Sequence, residues 1–192
     1  MLRKLICTTA LLLWGVVTAH AAPVLSVTPP LNNVIVGNMV TLDIRIDGVT
    51  DLFAWEMDLG FTPTGKINAS AATEGSFLGA GTTFGPGTVN NLLGSITFMF
   101  NALSGATGIT GNGILASVSF LAVMAGTVTV SLSNVILYDS NLDQIFFNAP
   151  SDIRAATIIV ADAGGGNMPE PSTLLLLGLA LACFAIARRR VS

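Results

Sequence analysis

The stretch "VTLDIRIDGVTDLFAWEMDLGF", residues 40–61, decides the fold. In its first half Val40, Leu42, Ile44 and Ile46 fall on one side of an extended chain, with Thr41, Asp43, Arg45 and Asp47 on the other. A repeat of two residues belongs to a strand with one buried face and one wet face. After the turn formers of "DGVTD" the device returns. Phe53, Trp55, Met57, Leu59 and Phe61 are predicted to face a core, and Ala54, Glu56, Asp58 and Gly60 the solvent.

The same rhythm extends along the chain. "SITFMF" (95–100) places Ile96, Phe98 and Phe100 on one face. "GILASVSFLA" (113–122) does so with Ile114, Ala116, Val118 and Phe120, against Ser117 and Ser119. "GTVTVSLSNVIL" (126–137) gives Val128, Val130 and Leu132 against Thr127, Thr129, Ser131 and Ser133, and "DIRAATIIV" (152–160) closes the series. Turn formers such as "TPTG", "GPG", "SGATG" and "TGNG" punctuate the runs, and no stretch carries a capped helical stripe. The expectation is an all-β protein, an antiparallel β-sandwich of about eight or nine strands. The glycine-rich segment 69–91 has the weakest pattern and is expected to be a long loop with at most one short strand.

The ends differ from this middle. Arg3 and Lys4, the apolar run "LICTTALLLWGVV" and the small-residue site "TAHAA" predict a signal peptide over 1–21, cut after Ala21 in the A-x-A pattern of Ala19 and Ala21. The sandwich is assigned to 22–160 and a Gly-rich linker, "ADAGGGNM", to 161–168. Residues 169–192 then run from Pro169-Glu170-Pro171 through an apolar segment, 173–187, to Arg188, Arg189 and Arg190. A transmembrane helix is predicted over 173–187, with the arginines as a cytoplasmic stop. At about 22 Å it is short for a hydrocarbon core of about 30 Å, which suits a temporary anchor.

Composition removes whole classes of function. Between Ala22 and Asn167 three basic and ten acidic residues leave a net charge of −7. Such a surface does not attract nucleic acid or an anionic membrane face. Cys7, Cys183 and His20 all lie in the terminal segments. The middle therefore cannot build a Ser-His-Asp triad, a Cys-His pair or a zinc site with nitrogen or sulfur ligands.

Carboxylate chemistry remains. Glu56 and Asp58 share a strand face about 7 Å apart, within the range of a glycosidase pair. Alternation places both on the wet side, so a solvated strand face is the preferred reading. Asp139, Asn141 and Asp143 have the 1, 3, 5 spacing that opens a calcium loop. Gln144 stands where that loop needs glycine and Pro150 where it needs glutamate, so an Asx turn is preferred, with Ca2+ as the alternative. No other cofactor is expected. Trp55 and Tyr138 are the candidate sugar-stacking rings. The parity of Trp55 sends it to the core, whereas Tyr138, near a strand end, is expected to be accessible.

Two resemblances follow from quoted residues. Pro169-Glu170-Pro171, the adjacent Ser172, the apolar run and Arg188 to Arg190 together resemble the PEP-CTERM sorting signal of exopolysaccharide-producing Gram-negative bacteria. That resemblance implies an exosortase-type transpeptidase as partner and an inner-membrane-tethered precursor, released to the cell surface or extracellular matrix. "VGNMVTLDIRIDGVTDLFAWEMDLGFTPTGKI" (36–67) and "GNGILASVSFLAVMAGTVTVSLSNVILYDSNLDQI" (111–145) together resemble the cohesin-like sandwich, of jelly-roll type. It implies a non-enzymatic module that contacts another protein or exopolysaccharide. A carbohydrate-binding module with exposed aromatics is the alternative, and a carboxylate glycosidase the third.

Overall fold

The computed structural model describes residues 22–79, 81–105 and 107–162. The predicted signal peptide with Ala19 and Ala21, the predicted linker beyond Asp162, Pro169-Glu170-Pro171, the segment 173–187 and Arg188 to Arg190 lie outside the described residues. No helix among the described residues is long and apolar enough to cross a membrane.

The described residues form eleven strands, in order β1 (Val24–Thr28), β2 (Leu31–Ile35), β3 (Met39–Thr62), β4 (Ile67–Ala69), β5 (Thr73–Glu74), β6 (Thr82–Asn90), β7 (Ser95–Leu103), β8 (Ile109–Ala122), β9 (Gly126–Asp139), β10 (Ile153–Arg154) and β11 (Ala156–Ala161). The expected eight or nine become eleven because β4, β5 and β10 are pieces of two or three residues with little sequence signal. The ladders are antiparallel except β1 with β10 and β11 with β2, which are parallel.

β3 organises the molecule because it serves two sheets. Its first part pairs with β1 on one side and β8 on the other, giving the layer β10-β1-β3-β8, with β4 and β5 along the far edge of β8. Its second part lies between β7 and β9, giving β6-β7-β3-β9-β11-β2. The inner faces of these layers meet in one core. Phe61 of the second layer and Phe120 of the first stand edge to face, ring centres 5.6 Å apart, both almost fully buried.

The crossing between layers is visible in the burial of β3. Ile46, Val49, Leu52 and Trp55 are buried at intervals of three residues, and strict alternation resumes at Met57, Leu59 and Phe61. Phe53, expected inside, is only half-buried, and Leu52 takes its place. The ladder to β8 shifts register twice across this bend. Side chains replace the missing ladder bonds: Gly48 N–H donates to Asn112 Oδ1 at 2.6 Å and Asp51 N–H to Thr110 Oγ1 at 2.9 Å. The Asp51 carboxylate accepts from the Gly108 amide at 2.9 Å and from the Ser140 hydroxyl at 2.6 Å.

The segment 69–91 also departs from expectation. It holds the nine-residue β6, and "GPG" (85–87) lies inside that strand rather than in a turn. β6 is an edge strand, where a proline removes no needed ladder bond. A side chain at Gly85 would collide with the Phe100 ring, so glycine is what lets that ring lie across the neighbouring strand. The rest of the segment is held by polar groups. Asn91 copies a strand partner for Ala69, accepting its N–H at 2.7 Å and donating to its carbonyl at 3.2 Å. Buried Asn101 donates to Glu74 Oε1 at 2.9 Å.

Candidate functional site

The outer face of β7, β3 and β9 carries the feature that best fits a binding role. Ladder register arranges it in rows. Ala54 stands between Ala102 and Tyr138, and Glu56 between Phe100 and Ile136. Phe98 flanks the next row, beside Asp58. Together Ala54, Glu56, Phe98, Phe100, Ala102 and Tyr138 line a groove of about 190 Å³. The two alanines form a shallow floor and the aromatics its walls.

Phe98 belongs here because of a β-bulge. Strict alternation sends Ile96, Phe98 and Phe100 to one side, but Ile96, Met99 and Asn101 are the buried residues of β7 and Phe98 is 59% exposed. Met57 pairs with Met99 and Leu59 with Ile96, so Thr97 and Phe98 together oppose the single residue Asp58. Phe98 takes φ = 62°, a left-handed conformation that costs a bulky residue energy and needs outside support. Asp58 supplies it: Oδ1 accepts the Phe98 N–H at 2.7 Å. Its other oxygen accepts from Asn134 Nδ2 at 2.7 Å, and Asn134, at φ = 50°, marks a second bulge in β9. One carboxylate thus clamps two bulges on either side of β3.

The acid pair singled out in the sequence therefore divides. Asp58 is a structural clamp and not a free solvated group. The Glu56 carboxylate remains half-buried in the groove and has no hydrogen-bond or ion-pair partner among the described residues. Trp55 is 1% exposed and faces the core, with the Phe84 ring edge-on at 6.3 Å. Tyr138, 36% exposed, is accessible as expected.

Asp139, Asn141 and Asp143 come together in a tight turn. Asp139 Oδ1 accepts the N–H groups of Asn141 and Asp143, both at 2.9 Å, the arrangement of an Asx turn. Among the described residues no group of three or more His, Cys, Asp or Glu is placed to hold a metal ion. In "DGVTD", Asp51 is committed to the strand crossing. The hydrogen bond from the Ser140 hydroxyl, assisted by the Ser140 and Gly108 amides, holds its carboxyl below the ordinary value, against a smaller opposing effect of burial.

Nothing in period-two reasoning finds the groove, but one signal was there. Phe98-Met99-Phe100, Ile114-Leu115 and Val135-Ile136-Leu137 are runs of consecutive large apolar residues in otherwise alternating strands. Each sits at a register shift. Two neighbours on a flat strand cannot both reach the core, so such a run marks a bulge.

The two layers make a β-sandwich with an aromatic groove on the outer face of one sheet. The chain belongs to the cohesin family, whose domain matches residues 25–156, and it carries the PEP-CTERM protein-sorting motif at 169–190. The cohesin domain is a non-catalytic protein-interaction module, and the sorting motif marks an exported, surface-sorted protein whose tail implies exosortase processing. No curated protein sequence matches the chain. Among solved structures it is similar to a non-cellulosomal cohesin from the archaeon Archaeoglobus fulgidus, at 13% identity and a TM-score of 0.56, covering 73% of this chain and 92% of that one. A type I cohesin–dockerin complex from Clostridium thermocellum gives 11%, 0.59, 76% and 97%. A cohesin module from a family 33 glycoside hydrolase of Clostridium perfringens gives 10%, 0.57, 73% and 96%. These likenesses establish the shared fold.

Proposed function

We propose that the protein is made as an inner-membrane-tethered precursor in a Gram-negative cell and cut near Pro169-Glu170-Pro171 by an exosortase-type enzyme. The released sandwich, residues 22–160, then works at the cell surface or in the extracellular matrix, where it captures another protein through the outer face of β7, β3 and β9. The observation that carries the docking reading is the groove around Phe98: exposed aromatic area, held on rigid strands by bulges that cost energy to maintain. Partner capture needs such anchors more than it needs total area. Cohesins of the same fold have been crystallised with dockerins, which favours a protein as the occupant.

A polysaccharide fits the groove less well. Phe98 and Phe100 stand 61° apart, so they offer no shared plane on which successive sugar rings could stack. The groove's 190 Å³ is also below the roughly 300–1,000 Å³ of ordinary ligand pockets, which suits one side chain rather than a glycan.

A photo-reactive residue placed at position 98 of the exported protein tests the docking face. A discrete protein adduct is expected there, and none from the same residue at Thr127, an exposed position of β9 outside the groove. Equal adducts at both positions, or none at 98, would reject this face. Mass spectrometry of the mature protein tests the processing. A chain ending near Pro169 is expected with the exosortase present, and persistence of the terminus through Ser192 would reject the cut.

A further inference from the structure

We infer that the groove selects its partner by a single cationic side chain, arginine above lysine, which enters between Phe98, Phe100 and Tyr138 and pairs with Glu56. The inference rests on the docking reading above and adds the chemistry of the residue that docks.

Three observations converge on it. The first is the state of Glu56. Asp43, Asp51, Asp58, Glu74, Asp139 and Asp152 all accept hydrogen bonds within the fold, and Asp47 pairs with Arg45 at 3.3 Å. Glu56, like Asp143 and Asp162, has no such partner among the described residues, but those two are exposed whereas Glu56 is half-buried between Phe100 and Ile136. A carboxylate partly removed from water beside apolar rings gains most from a cation that brings hydrogen-bond donors.

The second is the character of the walls. Phe100 and Tyr138 flank the alanine floor while Phe98 stands edge-to-face with Phe100 at 5.6 Å. Tilted rings make a poor platform but a good enclosure, because a cation gains from each ring face within about 6 Å. A guanidinium can lie flat on one ring while its fork meets Glu56, which an ammonium cannot do.

The third is charge. Arg45, Lys66 and Arg154 are the cations of the described residues, and none lines the groove. Asp58 stands two residues along the same strand face, and the region from Ala22 to Asn167 carries −7 overall. The field therefore draws a basic segment toward this face and repels an acidic one. The volume, about 190 Å³, suits one long side chain.

Tyr138 is the only tyrosine of the chain, so ring-13C tyrosine labelling gives one reporter in the groove wall. The full-length protein is titrated with N-acetyl-arginine amide, N-acetyl-lysine amide, the neutral isostere N-acetyl-citrulline amide and a cello-oligosaccharide. A saturable Tyr138 shift is expected with arginine, a weaker one with lysine, and binding at least about tenfold weaker with citrulline. Glu56→Gln should weaken the arginine response by about tenfold while leaving the free Tyr138 signal in place, which shows that the fold is intact. Equal binding of arginine and citrulline, a stronger response to the oligosaccharide, an unchanged Glu56→Gln response, or no shift with any probe would each overturn the inference. The adduct at position 98 separates the two readings. If it forms equally in Glu56→Gln and no cation shifts Tyr138, docking stands and cation selection falls. If arginine shifts Tyr138 but no adduct forms, the cation site stands and protein docking falls.

Discussion

The two parts of β3 use one strand in opposite ways. From Val40 to Asp47 it alternates, with Leu42, Ile44 and Ile46 fully buried and their neighbours facing out, and the bulge beside it, at Leu115 of β8, turns an apolar side chain into the core. From Leu52 to Thr62 it is bordered by bulges in β7 and β9 and carries the groove on its outer face. The regular part maximises burial, because each inward residue reaches the core in an unstrained conformation. The bulged part gives up regularity so that Phe98, which strict alternation sends inward, reaches the surface. A strand that held one period throughout would be easier to build but would have no aromatic groove on that face.

Substitutions can test whether stability and recognition are divided in this way. The largest effect is expected in the regular part. Ile44 is fully buried, and Ile44→Ala should cost about 2–5 kcal/mol through lost burial and the cavity left behind. Urea unfolding measures the loss, and the adduct at position 98 should survive under conditions where the variant stays folded. A smaller loss than this would place the stabilising centre elsewhere.

Asp58→Ala comes next and tests the bulged part. It leaves the Phe98 amide and the Asn134 amide without their acceptor and two left-handed residues without support, for a cost of about 1–3 kcal/mol. The contrast with Ile44→Ala lies in the second readout: hydrogen exchange at the Phe98 amide should speed up, and capture through position 98 should fall together with stability. If exchange is unchanged, the bulge does not depend on its clamp.

The division also explains what the sequence revealed. Strand character, the sandwich and the residues of the regular core were readable, because they follow from polarity repeated every two residues. The fate of Trp55 was readable for the same reason. Phe53, Phe98, Phe100 and Ile114 do not take the inward places that strict alternation gives them, because a bend or an extra residue changes the face of the residues on one side of it. β6 was hidden because its order comes from distant partners. The Phe100 ring lies over Gly85, and Asn91 stands in for a strand beside Ala69. The groove was invisible as a whole, since Ala54, Ala102, Phe98 and Tyr138 come together only through register. Glu56 was noted for its spacing to Asp58, yet the pair does not act as a pair.

The smallest effect is expected at the junction of the two parts, where Asp51 ties the crossing of β3 to Gly108 and Ser140. Its hydrogen bond from the Ser140 side chain lowers its folded pKa below the ordinary 3.8. A carboxyl with a lower pKa in the folded state stabilises the fold in its ionised form. That contribution is complete above the unfolded value and is lost as pH falls through the folded one. Asp51→Asn removes the charge, keeps one acceptor and cannot titrate. The variant should therefore be less stable than the wild type near neutral pH, and the gap should narrow as pH falls below 3.8. Urea midpoints across that range supply the check. A gap of constant size would mean that the crossing is held by the shape of the side chain at position 51, with its charge contributing nothing.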